Sequence, residues 1–331
     1  MKLASFLAGG REAIGFEVVE GQLVDLADAL RLAGSSSPAS PPTNMLSLIL
    51  AGSSALATLR AVHARALKSR GDLKTYSAEE VTWRAPVPSP SKVVCLALNN
   101  RALDKIKIRA PTDHPAFFLK PSTAVTGHLC PIRLRASFGL THPEPELGVV
   151  IAQTLKDVSP AAALDGIFGY TIVNDITSVG MREEDSFSVR CFKPGPTPGA
   201  TTIGEAHTTY PGRYKASDTF APMGPWIVTR DEIPDPAALK IECRLGEKLV
   251  ASDHTRNYVW GVAEALSHIS HTMTLLPGDV VSMGTAVGGD TDDPDAPEVP
   301  GVTRANLVGF AERVSVTISK LGTLTNWIQM V

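Results

Sequence analysis

Short apolar runs punctuated by turn residues recur along most of the chain. Segments 93–98, 116–119, 147–151, 169–173, 225–229, 239–245, 280–283 and 314–318 are mostly apolar and often β-branched or aromatic, and too short for stable helices, so they predict strands. Upstream, segments 2–6, 13–19 and 22–24 predict three more, parted by Gly9-Gly10 and Glu20-Gly21 and followed by a helix through Leu30. After a Ser- and Pro-rich loop at 34–42, a helical stretch runs from Met45 to about Leu67. Between 258 and 275 the spacing changes to threes and fours: Val259, Val262, Ala263, Leu266, Ile269 and Met273 fall on one helix face, and Pro277-Gly278 ends the run. The proline-rich stretch 84–90 cannot continue a helix, which places a domain boundary near residue 85. The expected fold is α+β and mainly β: a small N-terminal α+β domain over 1–85 and a mixed-sheet catalytic domain over 86–331.

Composition narrows the function. A chain of 331 residues with 44% apolar content can bury a large core, and a formal net charge of -3 offers no basic face for nucleic acid or an anionic membrane. The apolar start at Met1 is short and meets Arg11-Glu12 at once, unlike a signal sequence. The apolar stretch 45–59, broken by Gly52-Ser53-Ser54, falls short of the ~20 residues a bilayer requires. Cys95, Cys130, Cys191 and Cys243 lie far apart with no CxxC pair, which implies reduced thiols and a cytoplasmic chain. A small-molecule enzyme is the expectation.

Its chemistry concentrates in His142-Pro-Glu144-Pro-Glu146-Leu147. Strand residues two apart share a face, so His142, Glu144 and Glu146 project together, and adjacent carboxylates call for a cation. Asp175 closes the apolar run 169–173 and adds a third carboxylate. Three carboxylates without cysteine form an all-oxygen set suited to Mg²⁺, Mn²⁺ or Ca²⁺. Glu264, His268 and His271 also share a helix face, but not in the HExxH order of a zinc hydrolase, and the four aspartates of 288–300 lack the glycine and terminal glutamate of a calcium loop.

Five motifs in order resemble the fumarylacetoacetate hydrolase family: Phe118-Leu-Lys-Pro121; Glu144-Pro-Glu146-Leu-Gly-Val-Val-Ile151; Gly169-Tyr-Thr-Ile-Val-Asn-Asp175-Ile-Thr177; Lys215-Ala-Ser-Asp-Thr-Phe220; and Leu276-Pro-Gly-Asp-Val280 with Met283-Gly-Thr285. By that resemblance Glu144, Glu146 and Asp175 are the metal ligands, Lys120, Lys215 and Thr285 act on the substrate, Asn99 and Gly284 line it, and the chain forms a homodimer. The resemblance also exposes departures. Hydrolytic members follow the lid Asn with Tyr and then with a His and a Glu that activate water, whereas Asn99-Asn-Arg-Ala-Leu103-Asp-Lys-Ile106 places Leu103 and Ile106 there. Val179-Gly180 replaces an Arg-Asp pair, and the stretch between Asp175 and Lys215 is longer than in compact members. His114, Asp113 and Asp104 are the candidate replacement bases and Arg182 a candidate substrate contact. The expected substrate is a 2-oxo acid or 1,3-dicarbonyl compound, polarised by the cation toward an enolate. Carbon–carbon hydrolysis of an acylpyruvate-like diketone is the first expectation; decarboxylation, hydration, tautomerisation and a catalytically silent metal-binding relative are the alternatives.

Overall fold

The computed structural model describes residues 1–32, 42–68, 73–105, 111–287, 305–310 and 312–331. Strands dominate, as the short apolar runs imply. The largest sheet runs in the order Thr75–Ser77, Gln22–Asp25, Arg11–Val19, Lys2–Ala8, Ala221–Thr229, Ile167–Asn174, Pro145–Ile151, Val280–Ser282, Val93–Ala97, Ala116–Lys120. Most neighbours are antiparallel, but Val280–Ser282 lies parallel to Val93–Ala97. Val125–Thr126, which follows the last strand of that path, pairs in parallel with Ala221–Pro222 and so curls the sheet back on itself. Lys120 therefore sits beside Phe220 at the closure. A second sheet orders Lys248–His254, Lys240–Leu245, Arg313–Ile318, Gly322–Met330 and Pro131–Leu134.

Central strands such as Pro145–Ile151 and Ile167–Asn174 are buried at every position and mostly apolar, because both faces are covered. In Val93–Ala97, Val94 and Leu96 enter one buried cluster, shared with the second sheet and the helix Val262–Thr272, while Val93 and Cys95 enter another, shared with the helices Met45–Leu50 and Gly52–Lys68. Glycine admits a close strand contact: a Cβ on Gly169 would stand 2.4 Å from the Val228 carbonyl oxygen. The strand Lys2–Ala8 pairs with Ala221–Thr229, so the sheet is continuous across residue 85.

Several elements differ from the sequence reading. The stretch from Met45 is two helices, parted at Gly52, whose φ of +71 suits glycine. The helix expected over 258–275 spans Val262–Thr272, and Val259 and Met273 lie outside it. The lengthened stretch after Asp175 contains a hairpin, Phe187–Pro194 with Thr201–Thr208, whose turn holds the Gly195-Pro-Thr-Pro-Gly199 run. All four cysteines are free thiols. No helix among the described residues is long and apolar enough to cross a membrane.

Candidate active site

Glu146 lies near the start of the strand Pro145–Ile151, opposite Val173, and Asp175 follows the end of the paired strand Ile167–Asn174. His142, expected on one strand with both glutamates, instead pairs with Thr177 in a separate short ladder. The two prolines, which lack N–H groups, interrupt the strand. Glu144 is nevertheless held, because its N–H donates to Asn174 Oδ1 at 2.9 Å and its carbonyl accepts the Asp175 N–H at 2.8 Å. One oxygen from each of Glu144, Glu146 and Asp175 lies within 4.8 Å of the others, the one such cluster of metal-binding side chains among the described residues. The helix trio Glu264, His268 and His271 forms no comparable cluster.

The two lysines reach the carboxylates from different directions. Lys215, on the short helix Arg213–Ala216, donates to Glu144 Oε2 at 2.9 Å and to Asp175 Oδ2 at 2.7 Å. Lys120 is fully buried at the closure of the sheet; its Nζ donates to the Ile176 and Phe220 carbonyls at 3.1 and 2.6 Å and lies against Asp175 Oδ1. That oxygen is buried and receives no well-directed hydrogen bond. Glu146 accepts from Ser282 Oγ at 2.5 Å and from the Gly284 N–H at 3.0 Å. Gly284 has a φ of +104, and a Cβ there would stand 2.8 Å from the Asn99 Cβ. Thr285 Oγ1 stands 2.8 Å from Glu144 and 3.1 Å from Glu146, one hydroxyl proton facing two carboxylates.

Burial would raise the Glu144 carboxyl, yet Lys215, His142 and the Thr177 hydroxyl outweigh it and hold the group at about 2. Burial, with repulsion from Asp175 and Glu144, pushes Glu146 the other way, well above the usual carboxylate range. Burial opposes the Lys215 ammonium too, but Asp175 and Glu144 more than offset it and keep it charged. Burial lowers His142 against the pull of Glu144. With all three carboxylates ionised, the two lysine side chains leave one negative charge uncompensated, which together with burial drives Glu146 to hold its proton and which a cation would relieve; Asp175 also keeps an oxygen without a well-directed hydrogen bond. Hard oxygen donors with a charge deficit fit a divalent cation.

Residues 92–329 match the sequence profile of the fumarylacetoacetate (FAA) hydrolase C-terminal domain, well over half of the chain. The chain belongs to the fumarylacetoacetate hydrolase family. Oxaloacetate tautomerase YisK of Bacillus subtilis is 30% identical over 294 residues, covering 87% of each chain. Maleylpyruvate hydrolase from Sphingobium sp. SYK-6, in complex with manganese (II) ion and pyruvate, has a TM-score of 0.68 at 26% identity, over 100% of this chain and 99% of that one. A fumarylacetoacetate hydrolase from psychrophilic Exiguobacterium antarcticum has a TM-score of 0.71 at 25% identity, over 100% of both chains. Such relatives are hydrolases, isomerases and tautomerases; this member of the family is an enzyme, with a mainly β fold like theirs.

The remaining sequence candidates scatter. Asn99 is buried and its amide is taken up by backbone: Oδ1 accepts the Trp260 N–H at 2.7 Å and Nδ2 donates to the Met283 and Trp260 carbonyls. Arg182 is exposed on the helix Val179–Glu184, close enough to His142 to lower it. His114 stacks on His268 at 5.4 Å, with Nδ1 2.7 Å from Asp113 Oδ1, and neither ring partner belongs to the carboxylate cluster. Asp104 is exposed in the turn Arg101–Lys105. Leu103 of that turn is buried in the core, and Ile106 lies outside the described residues. The sequence reading gave no role to Thr177, Asn174 or Ser282, each of which bonds a carboxylate-bearing residue. Thr177 and Asn174 stood in the Asn-Asp-Ile-Thr motif; Ser282 carried no signal, since strand serines are common.

Proposed function

We propose that this enzyme interconverts the keto and enol forms of a small 2-oxo dicarboxylate of the oxaloacetate type, with Mg²⁺ or Mn²⁺ held by Glu144, Glu146 and Asp175 and with Ca²⁺ the poorer fit. One observation carries the choice. Residues 99–110 contain no His or Glu, and Leu103 packs into the core. Cleavage of a carbon–carbon bond by water needs a base placed on that water, whereas enolisation needs no activated water, only a base beside the substrate C–H. The likeness to YisK, an oxaloacetate tautomerase, supports the same reading.

When bound, the cation supplies polarisation of the ketone, which acidifies the adjacent C–H. Lys120 and Lys215 are the partners for substrate carboxylates, and the charge count supports an anion: with a divalent cation present and the three carboxylates ionised the corner carries one positive charge, which one of the two substrate carboxylates neutralises. Lys215, held protonated, does not take a proton from carbon. We place that task on His142 Nε2. Its Nδ1 lies 3.2 Å from the Pro143 carbonyl, where an N–H must face, so the free lone pair is on Nε2. The C–H pair becomes the carbon–carbon double bond, the ketone oxygen gains a proton, and the imidazole returns its proton to the medium. Decay of enol-oxaloacetate absorbance with Mn²⁺ and with chelator tests the reading. Rapid Mn²⁺-dependent decay is expected, lowered ~10²-fold or more in His142→Gln, with acylpyruvate hydrolysis slower by a similar factor. Acylpyruvate cleavage matching enol decay contradicts it.

Hydrolysis is the second reading, supported by the likeness to maleylpyruvate hydrolase and by the Asp113–His114 pair, in which the imidazole lowers the Asp113 carboxyl. It requires that pair to reach the corner, and loss of cleavage in His114→Ala would mark it.

A further inference from the structure

Two consecutive asparagines brace the loop that carries Gly284 and Thr285, and behind the second stands a buried carboxylate with no part in the acidic corner. Asp253, near the end of the strand Lys248–His254, is fully buried. Its Oδ2 accepts Asn100 Nδ2 at 2.7 Å and the Val287 N–H at 3.0 Å; its Oδ1 accepts the His254 N–H and Asn257 Nδ2, both at 2.7 Å. Asn100 is as fully engaged. Nδ2 also donates to the Thr285 carbonyl at 3.1 Å, and Oδ1 accepts the Ala102 N–H at 2.9 Å. A carboxylate and a carbonyl can only accept, so the amide orientation is fixed by its surroundings. The Asn100 carbonyl takes the Leu103 N–H at 3.1 Å, which completes the entry to the turn Arg101–Lys105.

We infer that Asp253, acting through Asn100, is a positioning residue: it holds the backbone from the Thr285 carbonyl to the Val287 N–H and anchors the turn Arg101–Lys105, and so governs capture of the substrate carboxylate and not of the cation. The substrate half rests on the 2-oxo acid reading above. The reason lies in the division of contacts. Thr285 reaches Glu144 and Glu146 through its hydroxyl, but Asp253 and Asn100 hold its carbonyl and the Val287 N–H two residues on. The three metal-binding carboxylates have other supports: Asn174 and Thr177 for Glu144, Ser282 and Gly284 for Glu146, and Lys120 and Lys215 for Asp175. Loss of the brace frees the Thr285 hydroxyl and the turn while leaving those supports in place. A buried carboxylate facing four donors is strongly coupled to their positions, so an amide in its place turns its own N–H₂ against one pair of them.

The test uses the full chain and three variants, Asp253→Asn, Asn100→Ala and the double change. Calorimetry gives Mn²⁺ affinity, then oxalate affinity of the Mn²⁺-loaded protein, with oxalate as the 2-oxo acid mimic. Hydrogen–deuterium exchange reads the Ala102, Leu103 and Val287 amides directly. Each single change is expected to weaken oxalate about tenfold, to leave Mn²⁺ within about twofold, and to speed exchange at those amides, with the double variant no worse than the weaker single. Unchanged exchange in both singles, Mn²⁺ affinity falling in step with oxalate, or fully additive losses would each overturn the inference. If Asp253→Asn does not fold, Asn100→Ala alone must give the same split. Should the parent bind Mn²⁺ but no oxalate, the 2-oxo acid reading fails, and exchange in the variants decides the brace by itself.

Discussion

Between Asp175 and Lys215 the chain leaves a buried corner, forms an exposed hairpin and returns. At the ends the carboxylate and ammonium are 1% and 7% exposed, while in the middle Phe192 and Ile203, paired across the hairpin, are 78% and 74% exposed. Polar groups are inside and apolar ones outside. In the corner nearly every buried charge meets an opposite charge or a directed donor, which makes burial tolerable. The hairpin is held by its own ladder and by Arg213, at its base, donating to Asp185 and Glu184, with few of its side chains covered. The contrast teaches that pairing, more than side-chain polarity, decides what this segment buries.

The strongest way to break the comparison is to remove a partner inside the corner. Lys215→Met leaves Glu144 without its ammonium and Asp175 with Lys120 alone, and loss of one member of a buried pair costs about 3 kcal/mol or more. Urea unfolding in chelator should show that loss, and Mn²⁺ should recover much of it, because the cation supplies the missing charge. Equal stability in chelator would mean that the lysine does not bridge the carboxylates.

A half-buried group without a counter-charge sharpens the contrast. Burial lowers His128 to about 4; its Nδ1 accepts the Thr325 N–H at 3.0 Å and its ring meets the Trp83 ring edge-on. Above pH 6.5 the imidazole is neutral folded and unfolded, so it adds no pH dependence. As pH falls from 6.5 toward 4 the unfolded chain takes the proton and the folded chain does not, removing up to about 3 kcal/mol. His128→Gln should lose less stability than the parent between pH 7 and pH 4.5; parallel acid losses would show that the group titrates normally.

Least is expected from the hairpin. Phe192→Ser with Ile203→Thr should change unfolding free energy by under about 0.5 kcal/mol and leave Mn²⁺ affinity alone, since neither side chain enters the core. A loss of several kcal/mol in urea unfolding would show that these residues are covered.

Legibility in the sequence follows the same division. Strands buried on both faces, such as Val93–Ala97 and Pro145–Ile151, were readable because continuous apolar runs need a sheet covered on two sides. The carboxylates and lysines were readable from motif order, and the structure brings Glu144, Glu146, Asp175, Lys120, Lys215 and Thr285 together. The hairpin strands were not, because Phe187–Pro194 mixes polar and apolar residues on both faces and no core selects a register. Asp253 was invisible for the opposite reason: its role depends on Asn100 and Val287, which are distant in sequence from it and meet it only through the fold.

The claim on which the rest depends is that the three carboxylates hold one divalent cation, and calorimetric titration with Mn²⁺ tests it most directly. One ion should bind per chain in the parent, and Asp175→Asn should bind it roughly 100-fold more weakly or not at all. Binding by Asp175→Asn as tight as the parent's would contradict the account.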